Sequence, residues 1–202
     1  MRPANEALLV VDIQNDFCPG GALAVPEGDT IITRVNALME EFPHRVLTQD
    51  WHPADHSSFA SNHAGAAPFS VADMAYGAQV LWPDHCVQGT AGADFHPALD
   101  VAKADFVVRK GANPAVDSYS AFFENDHETE TELDAWLRGR GIDHVTIAGL
   151  AFDFCVQWSA LDAVRLGYAV TVLEGACRAI DLHGSAEDAR TAMLDANVVL
   201  EP

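Results

Sequence analysis

Lysine is scarce in this chain. Lys103 and Lys110 are its only two lysines, and the 11 lysines and arginines together stand against 30 acidic residues, which gives a formal charge of -19. Such a charge repels the phosphates of nucleic acids and anionic membrane surfaces, so we expect neither as a partner. The scarcity also makes Lys110, at the end of an apolar run, harder to explain as one more surface charge.

Long apolar runs are absent as well, because no stretch approaches the roughly 20 residues of a membrane-spanning helix. Residues 1–6 carry no signal-peptide pattern, which favours a cytoplasmic protein. The 202 residues, 49% of them hydrophobic, suffice for one substantial core. We therefore expect a single domain over residues 1–202 and leave open whether it forms a homo-oligomer.

Cysteine occurs at four positions only, which are Cys18, Cys86, Cys155 and Cys177. Without a secretory pattern they are interpreted as free thiols rather than as a disulfide scaffold. A free cysteine is most often a small buried apolar residue. Cys155 alone follows a predicted strand and a tight turn and begins a predicted helix, so it is the candidate for chemistry.

Short apolar strands alternate with helical segments along the chain, as in right-handed crossovers between parallel strands. Strands are predicted at residues 7–12, 45–49, 105–109, 144–148, 169–173 and 198–200. Apolar residues at helical spacing predict helices at residues 30–42, 130–140, 155–166 and 185–196. Gly141 and Gly167 lie where C-caps belong, and Ser185 with Asp188 resembles a capping box. The sequence predicts an α/β fold with a doubly wound, mainly parallel sheet between two helical layers.

Three predicted strands end beside a side chain that can do chemistry. Asp12 ends the first, Lys110 follows the third, and Cys155 lies just beyond the fourth. Because the carboxyl ends of parallel strands share one edge of a sheet, we expect these groups to converge. Asp12 could accept the thiol proton and return it to a leaving amine, although it could also be a turn cap. A helix start at Cys155 would lower the thiol pKa and offer amides to an oxyanion. The set indicates a cysteine-dependent hydrolase.

Residues 51–97 form a long, poorly periodic segment that holds five of the nine histidines, and so long a loop is expected to have a function. Asp50 and His52, two residues apart in extended chain, point the same way. His85 or His56 could add a third ligand. Two imidazoles and one carboxylate suit zinc, iron or manganese, although scattered surface histidines remain the simpler explanation.

Three aromatic residues lie close in sequence to these groups, namely Phe17, Trp82 and Tyr119. Such residues usually fill a core, but here they could also hold a flat ring between them. They favour an aromatic substrate.

The motifs together resemble the nicotinamidase/pyrazinamidase group of isochorismatase-like hydrolases over nearly the whole chain. The matching segments are DIQNDFCPGGAL from Asp12, DWHPADHSSF from Asp50, LWPDHCVQGT from Leu81, RKG from Arg109 and GLAFDFCV from Gly149. The resemblance implies an isochorismatase-like (Rossmann-like) sheet. It also implies hydrolysis of nicotinamide, and of pyrazinamide, to the acid and ammonia in NAD recycling.

Carried over by motif position, the resemblance makes Cys155 the nucleophile, Asp12 the acid and base, and Lys110 the cation that tunes both. It places one divalent metal, zinc with iron or manganese as alternatives, on Asp50, His52 and His85. It gives the oxyanion hole to the backbone amides of Ala151 and Cys155, with a cis Leu150–Ala151 bond, and the substrate ring to Phe17, Trp82 and Tyr119.

Two positions stay open within this resemblance. Phe152 stands where relatives commonly carry a small polar residue, and His56 is a further residue able to join the metal. Three other functions also remain: an amidase for carbamoyl or ureido substrates, a metal-bound water as nucleophile, and a binding module without turnover.

Overall fold

A six-stranded parallel sheet forms the centre of the molecule in this computed structural model, which describes residues 2–202. The strands of the sheet are β1 (Glu6–Val11), β2 (His44–Asp50), β5 (Phe106–Lys110), β6 (His144–Leu150), β7 (Ala169–Arg178) and β8 (Val199–Glu201). Their order is β5-β2-β1-β6-β7-β8, and every neighbouring pair is parallel. The predicted α/β class and parallel sheet are confirmed.

Helices cover both faces of this sheet. They are α1 (Ile32–Met39), α2 (Leu133–Arg138), α3 (Gln157–Arg165) and α4 (Ser185–Asp195). Side chains alternate along β1, so Leu8 and Val10 pack in the core that includes α1. Leu9 and Val11 pack in the opposite core, built with α2, α3 and α4. The predicted three layers follow from this alternation.

The ends of several elements differ from the predicted bounds. β7 continues to Arg178, beyond the predicted residues 169–173, and α1 is shorter than the predicted residues 30–42. The positive φ angles of Gly141 (+68°) and Gly167 (+88°) agree with their predicted places just past helix ends. The capping box at Ser185 is wrong: its hydroxyl donates to Asp153 Oδ2 at 2.5 Å, and Gly184 occupies the N-cap.

The segment 51–97 contains a hairpin that the sequence did not predict. Strands β3 (Val71–Met74) and β4 (Gly77–Val80) pair antiparallel as a separate two-stranded sheet. Both are short and only half of their residues are exposed, but they lack the buried apolar run that predicts the other strands. One residue, Gln79, is nevertheless only 1% exposed.

No helix within residues 2–202 is both long and apolar enough to span a membrane.

Candidate active site

The carboxyl ends of four strands bring the predicted site residues together. Asp12 follows β1, Asp50 and Lys110 end β2 and β5, and the β2–β5 register pairs those last two directly. Cys155 follows β6 within the turn Phe152–Val156. Because the neighbouring strands are parallel, these ends share one edge of the sheet, as expected.

Lys110 lies at the centre of the cluster and is 2% exposed. Its Nζ is 2.9 Å from Asp12 Oδ2 and contacts Asp50 Oδ1 as well. The same ammonium donates to the Ser118 carbonyl at 3.0 Å and lies 3.4 Å from the Sγ of Cys155. Burial opposes the charge, but the two carboxylates outweigh it and raise the pKa of Lys110 well above its usual range. The lysine is therefore held protonated.

Asp12 is fully buried and its backbone has a φ of 47°. The Thr48 hydroxyl bonds both the side chain and the backbone of Asp12. It donates to Asp12 Oδ1 at 2.5 Å and accepts the Asp12 N–H at 3.1 Å. Oδ2 forms an ion pair with the Lys110 ammonium, with 2.9 Å between the oxygen and Nζ. Burial raises the pKa of this carboxyl, against the pull of Lys110. A carboxyl with a raised pKa that lies within 4.8 Å of the Cys155 sulfur is suited to exchanging a proton with it.

The environment of Cys155 corrects one expectation. The residue does not begin a regular α-helix, because it lies in a π-type turn that precedes α3. Burial raises the pKa of its thiol well above the ordinary value, and Lys110 only partly opposes this. The predicted lowering of the pKa by a helix N-terminus is therefore wrong. The thiol needs a base, and Asp12 is the acid group beside it.

The peptide bond between Leu150 and Ala151 is cis, as expected from the family resemblance. The backbone N–H of Ala151 donates to no acceptor within residues 2–202. Ala151 and Cys155 both line one cavity at this edge of the sheet. Their amides therefore border the same space as the thiol.

Asp50, His52 and His85 form a compact group of buried metal-ligating side chains, with ligand atoms within 4.8 Å of one another. Asp50 Oδ2 lies 3.5 Å from His52 Nε2 and 3.8 Å from His85 Nε2. The opposite ring nitrogens face backbone carbonyls, with His52 Nδ1 2.9 Å from the Gly111 oxygen and His85 Nδ1 2.8 Å from the Pro83 oxygen. Those bonds place the Nδ1 protons and direct both Nε2 lone pairs at Asp50, the usual arrangement around a bound metal.

Charge in this region also fits a divalent cation. Asp12, Asp50 and Asp117 are all buried, and Lys110 is the one lysine among them. Burial lowers the pKa of His85 to about 4, which keeps its imidazole neutral and able to ligate. At His52 the Asp50 carboxylate outweighs burial and raises the pKa of the imidazole. The donor set and the excess of carboxylates are able to hold one divalent ion.

His56 lies beside this group, and both of its ring nitrogens have neighbouring polar atoms of their own. Its Nδ1 is 2.7 Å from the Ser58 hydroxyl and its Nε2 is 3.3 Å from the Val116 oxygen. Its ring centre is 4.4 Å from that of His52. It packs against the His52 ring, and together with His52 and Asp117 it forms a second group of buried side chains able to hold a metal ion.

A cavity of about 330 Å³ opens onto these groups, and we call it the reaction cavity. Its lining residues are Phe17, Leu23, Asp50, Trp82, His85, Asp117, Tyr119, Ala151, Phe154, Cys155 and Ile180. All three predicted aromatic residues are among them. Phe154 was missed, although it stands next to Cys155 in the sequence, and its ring packs edge-on to Trp82 at 4.9 Å. The cavity is bounded by aromatic rings on several sides, with the thiol at its wall.

Two residues that position the site were also missed. Gln14 donates to the Asp50 carbonyl at 2.8 Å and accepts the Asp50 N–H at 2.8 Å, which fixes the backbone at the metal group. Asp16 accepts the N–H of Cys86 at 2.7 Å and so anchors the loop that carries His85. Both belong to the DIQND motif, where a run of polar residues directly after an apolar strand is the available signal.

Phe152 does not line the reaction cavity. Its ring packs in the core that includes α4, under the guanidinium of Arg190 at 5.6 Å. The unusual residue at this position therefore affects the packing behind the turn rather than the space in front of Cys155.

The chain is similar to known proteins over nearly its full length. The family model "Isochorismatase domain" matches residues 6–200. The nicotinamidase of Acinetobacter baylyi is 52% identical over 199 residues, which are 98% of this chain and 93% of the relative. A solved nicotinamidase and pyrazinamidase from Acinetobacter baumanii superposes with a TM-score of 0.98 at 53% identity, covering 100% of this chain and 97% of that one.

A third similar protein is the pyrazinamidase of Pyrococcus horikoshii, solved in complex with zinc. It superposes with a TM-score of 0.80 at 38% identity, and the match covers 97% of this chain and 98% of that chain. The family model and the full-length identities show that the chain belongs to the isochorismatase family.

Proposed function

We propose that this protein is a nicotinamidase, which hydrolyses nicotinamide to nicotinate and ammonia and acts on pyrazinamide in the same way. The observation that carries the proposal is the contact of one buried ammonium, Lys110, with both the Asp12 carboxylate and the Cys155 sulfur at the wall of an aromatic cavity. Relatives that are about half identical over nearly full length carry this activity.

In the first half-reaction Asp12 accepts the proton of Cys155, and the sulfur attacks the carboxamide carbon. The Lys110 ammonium, fixed by two carboxylates, stabilises the negative charge as the thiolate forms. The amides of Ala151 and Cys155 face the oxygen on which charge then develops. Asp12 returns the proton to the departing nitrogen, so ammonia leaves and a thioester remains on Cys155.

In the second half-reaction water replaces ammonia. Asp12 again takes a proton, now from the water that attacks the thioester carbon, and returns it to the sulfur as the C–S bond breaks. Nicotinate leaves with the hydroxyl oxygen, and the free thiol is restored. One carboxyl thus serves both halves, in agreement with its raised pKa and its place within 4.8 Å of the Cys155 sulfur.

Asp50, His52 and His85 would hold one divalent ion, zinc first, with iron and manganese as alternatives. When bound there, the ion supplies a Lewis-acidic contact for an electron-pair donor of the substrate, such as a ring nitrogen. Phe17, Trp82 and Tyr119 would pack against the ring. Carbamoyl and ureido substrates without a ring would gain no binding free energy from these aromatic side chains. The aromatic lining therefore favours the pyridine amide as substrate.

The direct test of the function is ammonia release from nicotinamide, measured against pyrazinamide and against ring-free carbamoyl and ureido compounds. We expect the ratio of kcat/KM values to favour the two ring amides. A preference for a ring-free substrate would instead assign the same three residues to a different amidase.

Chelation tests the metal group. We expect dialysis against a strong chelator to remove most of the ammonia release, and zinc at stoichiometric amounts to restore it. His85→Ala should lose metal binding by at least about tenfold, because one of three ligands is gone. His63→Ala is the matched control, since its Nε2 faces the Ser57 carbonyl at 2.6 Å outside the group. Full activity in the metal-free protein would contradict the proposal.

Thr48 provides a test of how Asp12 is positioned. Thr48→Val keeps the shape but removes the hydroxyl that bonds both ends of Asp12, so we expect kcat to fall about tenfold or more. The free energy of unfolding should fall by about 1–3 kcal/mol, because buried polar groups of Asp12 lose their partner.

Thr146→Val is the control for this comparison, since Thr146 is a buried strand threonine whose hydroxyl donates to Glu6 at 2.6 Å. It should lose similar stability without losing kcat. Equal kcat values for the two variants would show that Thr48 is not a positioning residue.

A further inference from the structure

Two cavities meet at Tyr119. A second cavity of about 420 Å³ is lined by Tyr76, Ala78, Tyr119, Asn125, His127 and Trp158. Among the described residues Tyr119 is the only one that lines both this space and the reaction cavity. Its side chain therefore stands between the Cys155 thiol and a second, largely aromatic space, which we call the outer cavity.

Tyr119 is held as a fixed wall between the two. Its ring packs edge-on against Trp82 and Phe154, with ring centres 6.2 Å and 5.7 Å away. Its hydroxyl accepts hydrogen bonds from Gln79 Nε2 at 2.9 Å and from the Trp82 indole at 3.2 Å. Its backbone N–H donates to Asn125 at 3.0 Å. These contacts at the ring, the hydroxyl and the backbone hold the Tyr119 side chain in one position.

The orientation of Gln79 is itself determined by Asp117. A carboxylate only accepts hydrogen bonds, so Asp117 Oδ2, at 2.7 Å, must face the amide nitrogen of Gln79 and not its oxygen. The same nitrogen then faces Tyr119, while the Gln79 oxygen accepts from Tyr76 and Asn125. One buried side chain of the β3–β4 hairpin, that of Gln79, thus fixes the position of the Tyr119 hydroxyl.

We propose that Tyr119 is the residue that limits the substrate to a single ring. The inference rests on the proposed amidase function and extends it to substrate size. Without the Tyr119 side chain the reaction cavity and the outer cavity become continuous, and an aromatic carboxamide that carries a second ring fits with that ring in the outer cavity.

The lining of the outer cavity defines which second ring it takes. His127 and Trp158 lie with ring centres 5.7 Å apart, and Tyr76 adds a third ring. No carboxylate, lysine or arginine is among its lining residues. An uncharged aryl group gains binding free energy by packing against such rings. A phosphate or carboxylate substituent finds no lysine or arginine there to pair with.

The test uses nicotinamides that carry a phenyl group on each free ring carbon in turn. For each protein we measure kcat/KM for the phenyl compound divided by that for nicotinamide. In Tyr119→Ala we expect this ratio to rise on the order of 100-fold for at least one phenyl compound. Tyr119→Phe keeps the ring and should leave the ratio nearly unchanged. Adding Trp158→Ala to Tyr119→Ala should reduce the gain.

Phe154→Ala is the matched control, because it removes an aromatic wall of the reaction cavity that does not border the outer cavity. An equal gain in Phe154→Ala, or no gain for any phenyl compound in Tyr119→Ala, would overturn the inference. Tyr119→Leu replaces the alanine variant if that one does not fold.

Calorimetric binding of the corresponding phenyl nicotinates gives the same comparison without turnover. It therefore separates failure of this inference from failure of the proposed function. If wild type does not release ammonia from nicotinamide but Tyr119→Ala alone binds a phenyl nicotinate, the size limit stands and the assigned reaction does not.

Discussion

Cys155→Ala should abolish ammonia release from nicotinamide, with kcat lower on the order of 10⁴-fold or more. The sulfur is the atom that forms the covalent bond, and no other thiol lines the reaction cavity within the described residues. The substitution removes one small buried atom, so folding should persist. Metal content, measured by elemental analysis, should match wild type, because the Asp50, His52 and His85 group does not include the sulfur.

Cys177→Ala is the matched control for this prediction. Cys177 is also a buried free thiol, but it lies on β7 beside Phe152 and Arg178, outside the reaction cavity. Its loss should leave kcat close to wild type. Turnover in Cys155→Ala above a few per cent of wild type would rule out the covalent mechanism and favour a water nucleophile.

Lys110→Met should damage stability and activity together. Lys110 is the cation that contacts both Asp12 and Asp50, and all three side chains are buried. Without it two carboxylates remain close together in the interior, which we expect to lower the free energy of unfolding by about 3–5 kcal/mol. The Cys155 thiolate also loses its neighbouring charge, so kcat of the folded fraction should fall about 10³-fold or more.

The chain's only other lysine supplies the control. Lys103 is partly exposed and pairs with Asp100 and Glu40 at the surface, where solvent screens the interaction. Lys103→Met should leave the urea unfolding curve and kcat unchanged. If Lys110→Met unfolds at the same urea concentration as Lys103→Met, the buried cluster is not organised around its ammonium.

The strand-end residues were predictable because each belongs to a local pattern. Asp12 and Lys110 lie at the ends of apolar strands, and in a parallel sheet those ends meet wherever each strand lies in the order. The spacing of Asp50 and His52 likewise follows from extended backbone alone. The structure brings these residues together as expected, with their chemical roles resting on the proposed function.

What the sequence did not predict depends on contacts between distant segments. Gln79 reaches Asp117 and Tyr119 across about forty residues, from a hairpin that lacks a buried apolar run. The direction of the Cys155 pKa shift was predicted with the wrong sign, because burial is a property of the packed cavity and not of the local turn. Local periodicity carries neither kind of information.

The measurement that tests the account most directly is nicotinamide hydrolysis in the presence of hydroxylamine. If Cys155 forms a thioester, hydroxylamine captures it after ammonia has left, so nicotinohydroxamate accumulates while kcat/KM for ammonia release stays constant. If water attacks the amide directly, hydroxylamine enters the step that releases ammonia. Ammonia release whose kcat/KM rises with hydroxylamine, or turnover that yields no hydroxamate, would contradict the Asp12–Lys110–Cys155 mechanism.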